Sequence, residues 1–401
     1  MSSQYLSFNK ISHSPAKLSI ATILISASLY GANIHAAGTI NISEEASISV
    51  GAGLRTQATF SEDAAPDGGD STDFDVGNIR LYVNGQVNDK IGLTFNTERV
   101  DGSVAVLDAI ARLELSKSFN IWAGKTLVPA DRIELNGPFY GLTWNQYTQP
   151  LFASDQDNPG DGIEDQAGSI GRDTGITIWG AFNKLQYVVG VFEGVRGGPN
   201  TSDNPLFAGR LSYNFLNIEQ NPGYYTSSTY FGSLGNIFTV GLAFQSQQDG
   251  VGSSSESGDF FGYTIDLLSE TVLGNNDVLT IEAEYKEFDS DFTGQSDATT
   301  PQGGCAGPDG FCLFDGESAF ITAAYLFKND QAFGEFQPYI RYVTNEPSDT
   351  DDTDLLELGL NYIIKGHNAR LNINYGSGDA NISGFPGNDT DVLSLGIQIQ
   401  I

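Results

Sequence analysis

The chain is poor in the residues that carry most enzyme chemistry. Its 401 residues include one Met, two Cys and three His. So few His and Cys argue against a multi-ligand zinc or haem site, and no metal or cofactor is expected. Bases are scarce too: 19 Lys and Arg stand against 50 Asp and Glu, a net charge of -31. Such acidity repels a phosphate backbone over most of the surface, so a nucleic-acid partner is not expected. The one apolar run, from Leu18 to Tyr30 and interrupted by Ser and Thr, is too short to cross a bilayer of ~30 Å as a helix. What is plentiful is 47 Gly, 25 Phe and 17 Tyr, with many β-branched residues. That is the composition of an all-β chain rather than a disordered one.

Residues 1–37 read as a secretory signal. Lys10 and Lys17 precede the apolar run, and small residues follow at Ala32, Ala36 and Ala37, placing cleavage at Ala36 or Ala37. The remaining chain, 38–401, is expected to be one domain. It keeps a single histidine, His367, in the tight turn Lys365-Gly366-His367-Asn368. Any Ser-His-Asp or Cys-His site would have to use it, so no enzyme is expected.

From residue 38 onward one pattern repeats, and no helical period is evident. Apolar and polar residues alternate in segments of about ten, as in Ile79, Leu81, Val83 against Arg80, Tyr82, Asn84. Sixteen such segments can be read, from Ile48–Arg55 to Val392–Ile401. The polar face is small and hydrophilic. Aromatics such as Phe60, Phe74, Tyr187, Phe192, Phe215, Phe288 and Phe327 sit near segment ends. Short connections (Val87–Lys90, Ser116–Ser118, Phe182–Lys184, Lys365–Asn368) alternate with long ones. The long ones are 61–73, 127–172, 194–204, 247–258, 289–316, 345–354 and 377–390. These features predict a sixteen-stranded antiparallel transmembrane β-barrel of the outer membrane. Its partners would be outer-membrane lipid, lipopolysaccharide and small hydrophilic solutes or ions.

Three stretches resemble landmarks of the phosphate-selective porin O and P family of Gram-negative outer membranes. They are Val76–Gly85, Trp122–Pro129 and Gly171–Gly175, with Gly223-Tyr224-Tyr225 ahead of the ninth strand. The resemblance implies a homotrimeric channel with its third outer loop folded into the lumen. Two departures stand out. Such barrels commonly end in Phe, whereas this chain ends in Ile401. Five of the seven lysines after residue 37 fall at short turns, so the lysine clusters of a phosphate pathway are not carried over.

Parity places Arg55, Arg80, Arg112, Arg210, Arg341 and Arg370 on the inward face, with Asp108, Glu114, Glu282 and Glu284. Arginine keeps its charge and offers planar donors to an anion, although any charge in a barrel wall must avoid lipid. The 46-residue connection 127–172 is the expected constriction, bringing Asp131, Arg132 and Glu134 toward the pore axis. Its later run Asp155–Gly162 has the composition of a Ca²⁺ loop but lacks the closing Glu. Cys305 and Cys312 are expected to form a disulfide within one exported loop. The seven long connections hold 27 acids against three bases. Sequence therefore leaves open an anion-preferring porin, a general or cation-preferring porin with an acidic vestibule, and a barrel-borne enzyme or adhesin.

Overall fold

The computed structural model describes residues 38–100, 103–152, 171–292, 310–328 and 333–401. The elements along the first half are β1 (Gly38–Asn41), β2 (Ser47–Ser61), β3 (Ser71–Gln86), β4 (Ile91–Val100), β5 (Ser103–Ser116), β6 (Phe119–Leu127), α1 (Arg132–Asn136), β7 (Arg172–Phe182), β8 (Leu185–Phe192) and β9 (Leu206–Asn214). The second half supplies β10 (Ile237–Ser253), β11 (Glu256–Val272), β12 (Val278–Ser290), β13 (Gly316–Leu326), β14 (Glu335–Pro347), β15 (Thr353–Lys365), β16 (Ala369–Gly378) and β17 (Thr390–Gln400).

Strands β2 to β17 match the sixteen alternating segments one for one. Each pairs antiparallel with its chain neighbours, and β17 returns to pair with β2, so the sheet closes. Closure satisfies every strand's ladder within the sheet and removes the open edges. The four-residue β1 also pairs with β2, along the track that β17 follows, with Gly38 opposite Val50 and Gln400 opposite Gly53.

The period of two sends apolar side chains outward. Leu81, Leu93, Ile178, Leu211, Leu242, Ile321, Leu358 and Ile397 are all exposed on the outer wall. Paired aromatics collect where the short turns are: Tyr213 with Phe215, Tyr325 with Phe327, and Phe336 with Tyr362, at centroid separations of 4.8–4.9 Å. Phe60, Phe74, Phe215 and Phe327 are exposed as expected of such a belt. Phe192 and Phe288 instead point inward and are buried. Phe288 belongs to an apolar cluster with Phe152, Phe260, Phe311 and Phe314, and Phe192 packs with Val128 and Leu206. The long-connection end of the lumen is therefore partly dry.

Two connections depart from the sequence reading. The span 247–258 is mostly strand: β10 and β11 run on to a tight turn at residues 254–255. At the short-turn end, β9 and β10 are joined by residues 215–236, as long as many of the opposite loops and largely buried in its middle.

Candidate pore and constriction

Residues 128–152 are nearly all buried and touch inward-facing side chains around the barrel. Apart from α1 the segment is irregular, so most of its carbonyls lack partners of their own. Buried backbone oxygens must still be hydrogen-bonded. The wall supplies the donors. Arg370 donates to the Gly141 carbonyl at 2.7 Å, and Arg55 to that of Trp144 at 2.7 Å. Arg341 donates to Asn145 and Gln146 at 3.0 and 3.1 Å, and Arg210 to Ala130 at 3.2 Å. Gln398 and Asn361 do the same for Phe139 and Leu142, both at 2.9 Å. A guanidinium suits this work because its planar fork reaches several carbonyls at once.

Two rings seat the segment. A Cβ on Gly53 would lie 2.8 Å from the Phe139 ring, and one on Gly396 would overlap the Trp144 indole. Arg55 stacks over Trp144 at 4.1 Å, and Arg80 lies 5.3 Å from the Phe139 centroid.

Charge fixes the start of the segment. Asp131 caps α1 by accepting from the Glu134 amide at 3.0 Å. Lys286 of β12 reaches Asp131 and Glu134, each at 2.6 Å, with Glu284 at 3.5 Å. Arg132 pairs with Glu219 at 2.8 Å and with Asp266 at 3.4 Å. Burial alone would raise the Glu219 carboxyl; Arg132 outweighs that and holds it below the usual carboxylate range. The expected constriction residues Asp131, Arg132 and Glu134 are thus buried in ion pairs rather than facing open solvent.

The arginines expected to line water divide into two groups. Arg210, Arg341 and Arg370 lie on the inward face but are buried beneath the internal segment, and so are Glu282 and Glu284. Parity reports the face and not what covers it. Arg55 and Arg80 border a cavity of about 1080 Å³, together with Asn78, Glu98, Tyr147 and Arg172. Arg80 pairs with Glu98 at 2.6 Å, and Arg172 with Asp108 at 3.2 Å. Arg55 donates to Asn78 and to the Trp144 carbonyl, both neutral acceptors, and makes no ion pair with a carboxylate among the described residues. Beyond Arg80 and Glu98, polar side chains that are at least partly exposed continue toward the short-turn end: Tyr82, Asn84, Thr94, and Arg112 with Glu114 at 3.2 Å.

The sequence reading missed Glu98 as the partner of Arg80, Lys286 as the anchor of α1, and Glu219. Cross-strand register could have found Glu98, which is directly opposite Arg80. Nothing local marks Glu219. Cys305 and the Asp155–Gly162 run lie outside the described residues; Cys312, within them, is not a free thiol.

His367 is half-buried. Its Nε2 lies 2.9 Å from the Thr229 carbonyl and 3.1 Å from the Ser227 hydroxyl, while Nδ1 has no hydrogen-bond partner. A triad histidine needs Nε2 free to accept the serine proton and Nδ1–H held by a carboxylate. Here Nε2 donates to a carbonyl and no carboxylate orients the ring, so Ser227 and His367 do not form a nucleophile and base.

The closed sixteen-stranded barrel matches solved outer-membrane structures over nearly their whole length. The fold is that of the bacterial porins. The anion-selective porin of Comamonas acidovorans aligns with a TM-score of 0.57 at 13% identity, covering 89% of this chain and 100% of that one. OmpF of Salmonella typhi, solved with daunomycin, aligns at 0.56 and 12%, covering 91% and 100%. The trimer form of OmpT, an outer membrane protein of Vibrio cholerae, aligns at 0.55 and 14%, covering 89% and 100%. No family model and no curated protein matches the chain.

Proposed function

We propose that this protein is an outer-membrane porin, exported by residues 1–37 and working as a homotrimer. Small hydrophilic solutes cross it by diffusion without a cofactor. The observation that carries this reading is the half-filled lumen. Residues 128–152 fill much of the interior from β6 round to β17 and reach Gly53, Arg55 and Gln57 of β2, while polar, partly exposed side chains remain along the β2–β5 side above and below Arg80 and Glu98. An apolar outer wall with aromatic ends suits a bilayer.

Small anions are the favoured solutes. Most charges along the passage are paired, and Arg55 is a guanidinium at the cavity without a carboxylate of its own. The phosphate-selective porin O and P family is the resemblance that fits this reading. A second reading, cation preference, is favoured by Asp75 and Asp379 on the same cavity. Reversal potentials of the purified protein in a bilayer under a KCl gradient separate the two. Chloride preference that weakens in Arg55→Ala is expected. Potassium preference in the parent would decide for the acidic vestibule, and absence of any conductance would remove the porin reading.

A further inference from the structure

Residues 215–236 enter the barrel from the short-turn end and cross it. Gly223, at φ +60°, lies against Trp122, where a Cβ would overlap the indole. Tyr224 packs on Trp122 at 5.3 Å and donates to the Leu127 carbonyl at 2.5 Å. This pins one end of the segment to β6. Its middle meets the underside of α1 and the turn after it. The Thr226 amide donates to the Leu135 carbonyl at 3.2 Å, Asn136 to the Ser228 hydroxyl at 2.6 Å, and the Ser228 amide to the Tyr140 carbonyl at 3.2 Å. Arg132 grips Glu219 and the Ser227 carbonyl, the latter at 2.8 Å. The far end is tied to β11, where Glu270 accepts from the Thr229 hydroxyl at 2.6 Å and the Tyr230 amide at 2.9 Å. It then reaches His367 in the β15–β16 turn. Ser227, Ser228 and Thr229 are no more than 3% exposed.

We propose that segment 215–236 is a fixed floor of the lumen, which sets the bore by confining the exit to the β2–β5 wall. The internal connection narrows the passage from above; the floor closes the β6–β16 half from below, so neither alone defines the channel. The contacts argue for permanence. They come from three separate parts of the wall and from α1. Among the described residues, releasing the floor would leave the buried Arg132 guanidinium with Asp266 alone and the buried Glu270 carboxylate with Thr280 alone.

This inference rests on the pore reading, and one experiment separates their failures. Residues 220–234 are replaced by a short Gly-Ser turn, and folded barrels are selected by heat-modifiable migration on gels. If the parent does not conduct, the pore reading fails. If the parent conducts, the shortened barrel is expected to show a severalfold rise in single-channel conductance and to admit larger neutral solutes. Unchanged conductance and size limit would overturn the floor. Should the shortened chain not fold, the pair Asn136→Cys with Ser228→Cys carries the test. Oxidation is expected to cross-link it in the folded barrel with conductance unchanged. A pair that will not cross-link, or a conductance that falls on cross-linking, would overturn a permanently docked floor.

Discussion

At the scale of single residues, the inward charges act mostly as struts. Arg210, Arg341 and Arg370 hold irregular backbone, and Lys286 stands between Asp131 and Glu134 as an internal cation. Removing one member of a buried ion pair leaves the others uncompensated, at a cost of about 3–5 kcal/mol. Lys286→Met keeps much of the side-chain volume and deletes the charge. It is expected to lower the urea midpoint of the folded barrel and to make the open-channel current noisy as α1 loosens. A quiet current at the parent's conductance would show that α1 needs no such anchor. Arg55 is the contrasting case: it holds one carbonyl and still faces the cavity, so its loss should be read in selectivity more than in stability.

At the scale of elements, His367 joins three: the β15–β16 turn, the 215–236 segment through Thr229, and the 128–152 segment through Tyr140, whose ring lies 5.0 Å away. Burial, with the nearby Arg370 charge adding to it, pushes the imidazole down to about 4 from its usual 6.5. Between those values the unfolded chain binds the proton and the folded one does not, so this contribution rises with pH. It is complete above the unfolded value and is lost as pH falls through 6.5 toward 4. Limited proteolysis at the short-turn end should therefore quicken over that range in the parent. In His367→Gln that difference should disappear; an equal acceleration in both would assign it to carboxylates elsewhere.

The strands were legible because a wall between water and an apolar outside enforces the period of two, and closure enforces an uninterrupted series. Phe192 and Phe288 broke the aromatic reading because parts of the lumen are dry, which alternation cannot report. The 215–236 segment did leave a trace: 22 residues separate β9 from β10 where neighbouring turns are short, and Pro222-Gly223-Tyr224-Tyr225 is an unusual content for exposed chain. The backbone acceptors of Arg341 and Arg370 left none, because any sequence provides carbonyls; the acid partners of Arg80, Arg210 and Arg341, which are Glu98, Asp266 and Glu357, are inward-facing strand residues that parity does place.

At the scale of the whole molecule, acidity and passage are separate matters. The acids concentrate in the long connections, whereas the wall pairs its charges across strands and against the internal segments. Salt should screen the rim more than those pairs. The closed sheet also has an uneven seam. The β10–β11 ladder pairs fourteen residues, yet β3–β4 pairs seven and stops at Arg80–Glu98, and β5–β6 pairs seven with an irregularity beyond Glu114. The two shortest ladders of the β2–β17 ring lie on the passage side, although β2–β3 there also pairs fourteen, and the struts from 128–152 brace mainly the opposite side. Amide hydrogen exchange is expected to be faster in β3–β6 than in β10–β12; uniform protection would contradict this. A wall without edges cannot fray, so its softness must appear as breathing in place. On the proposed porin reading, the arc expected to be compliant is the one along which solutes would pass, and the width they meet would be a time average rather than a fixed aperture.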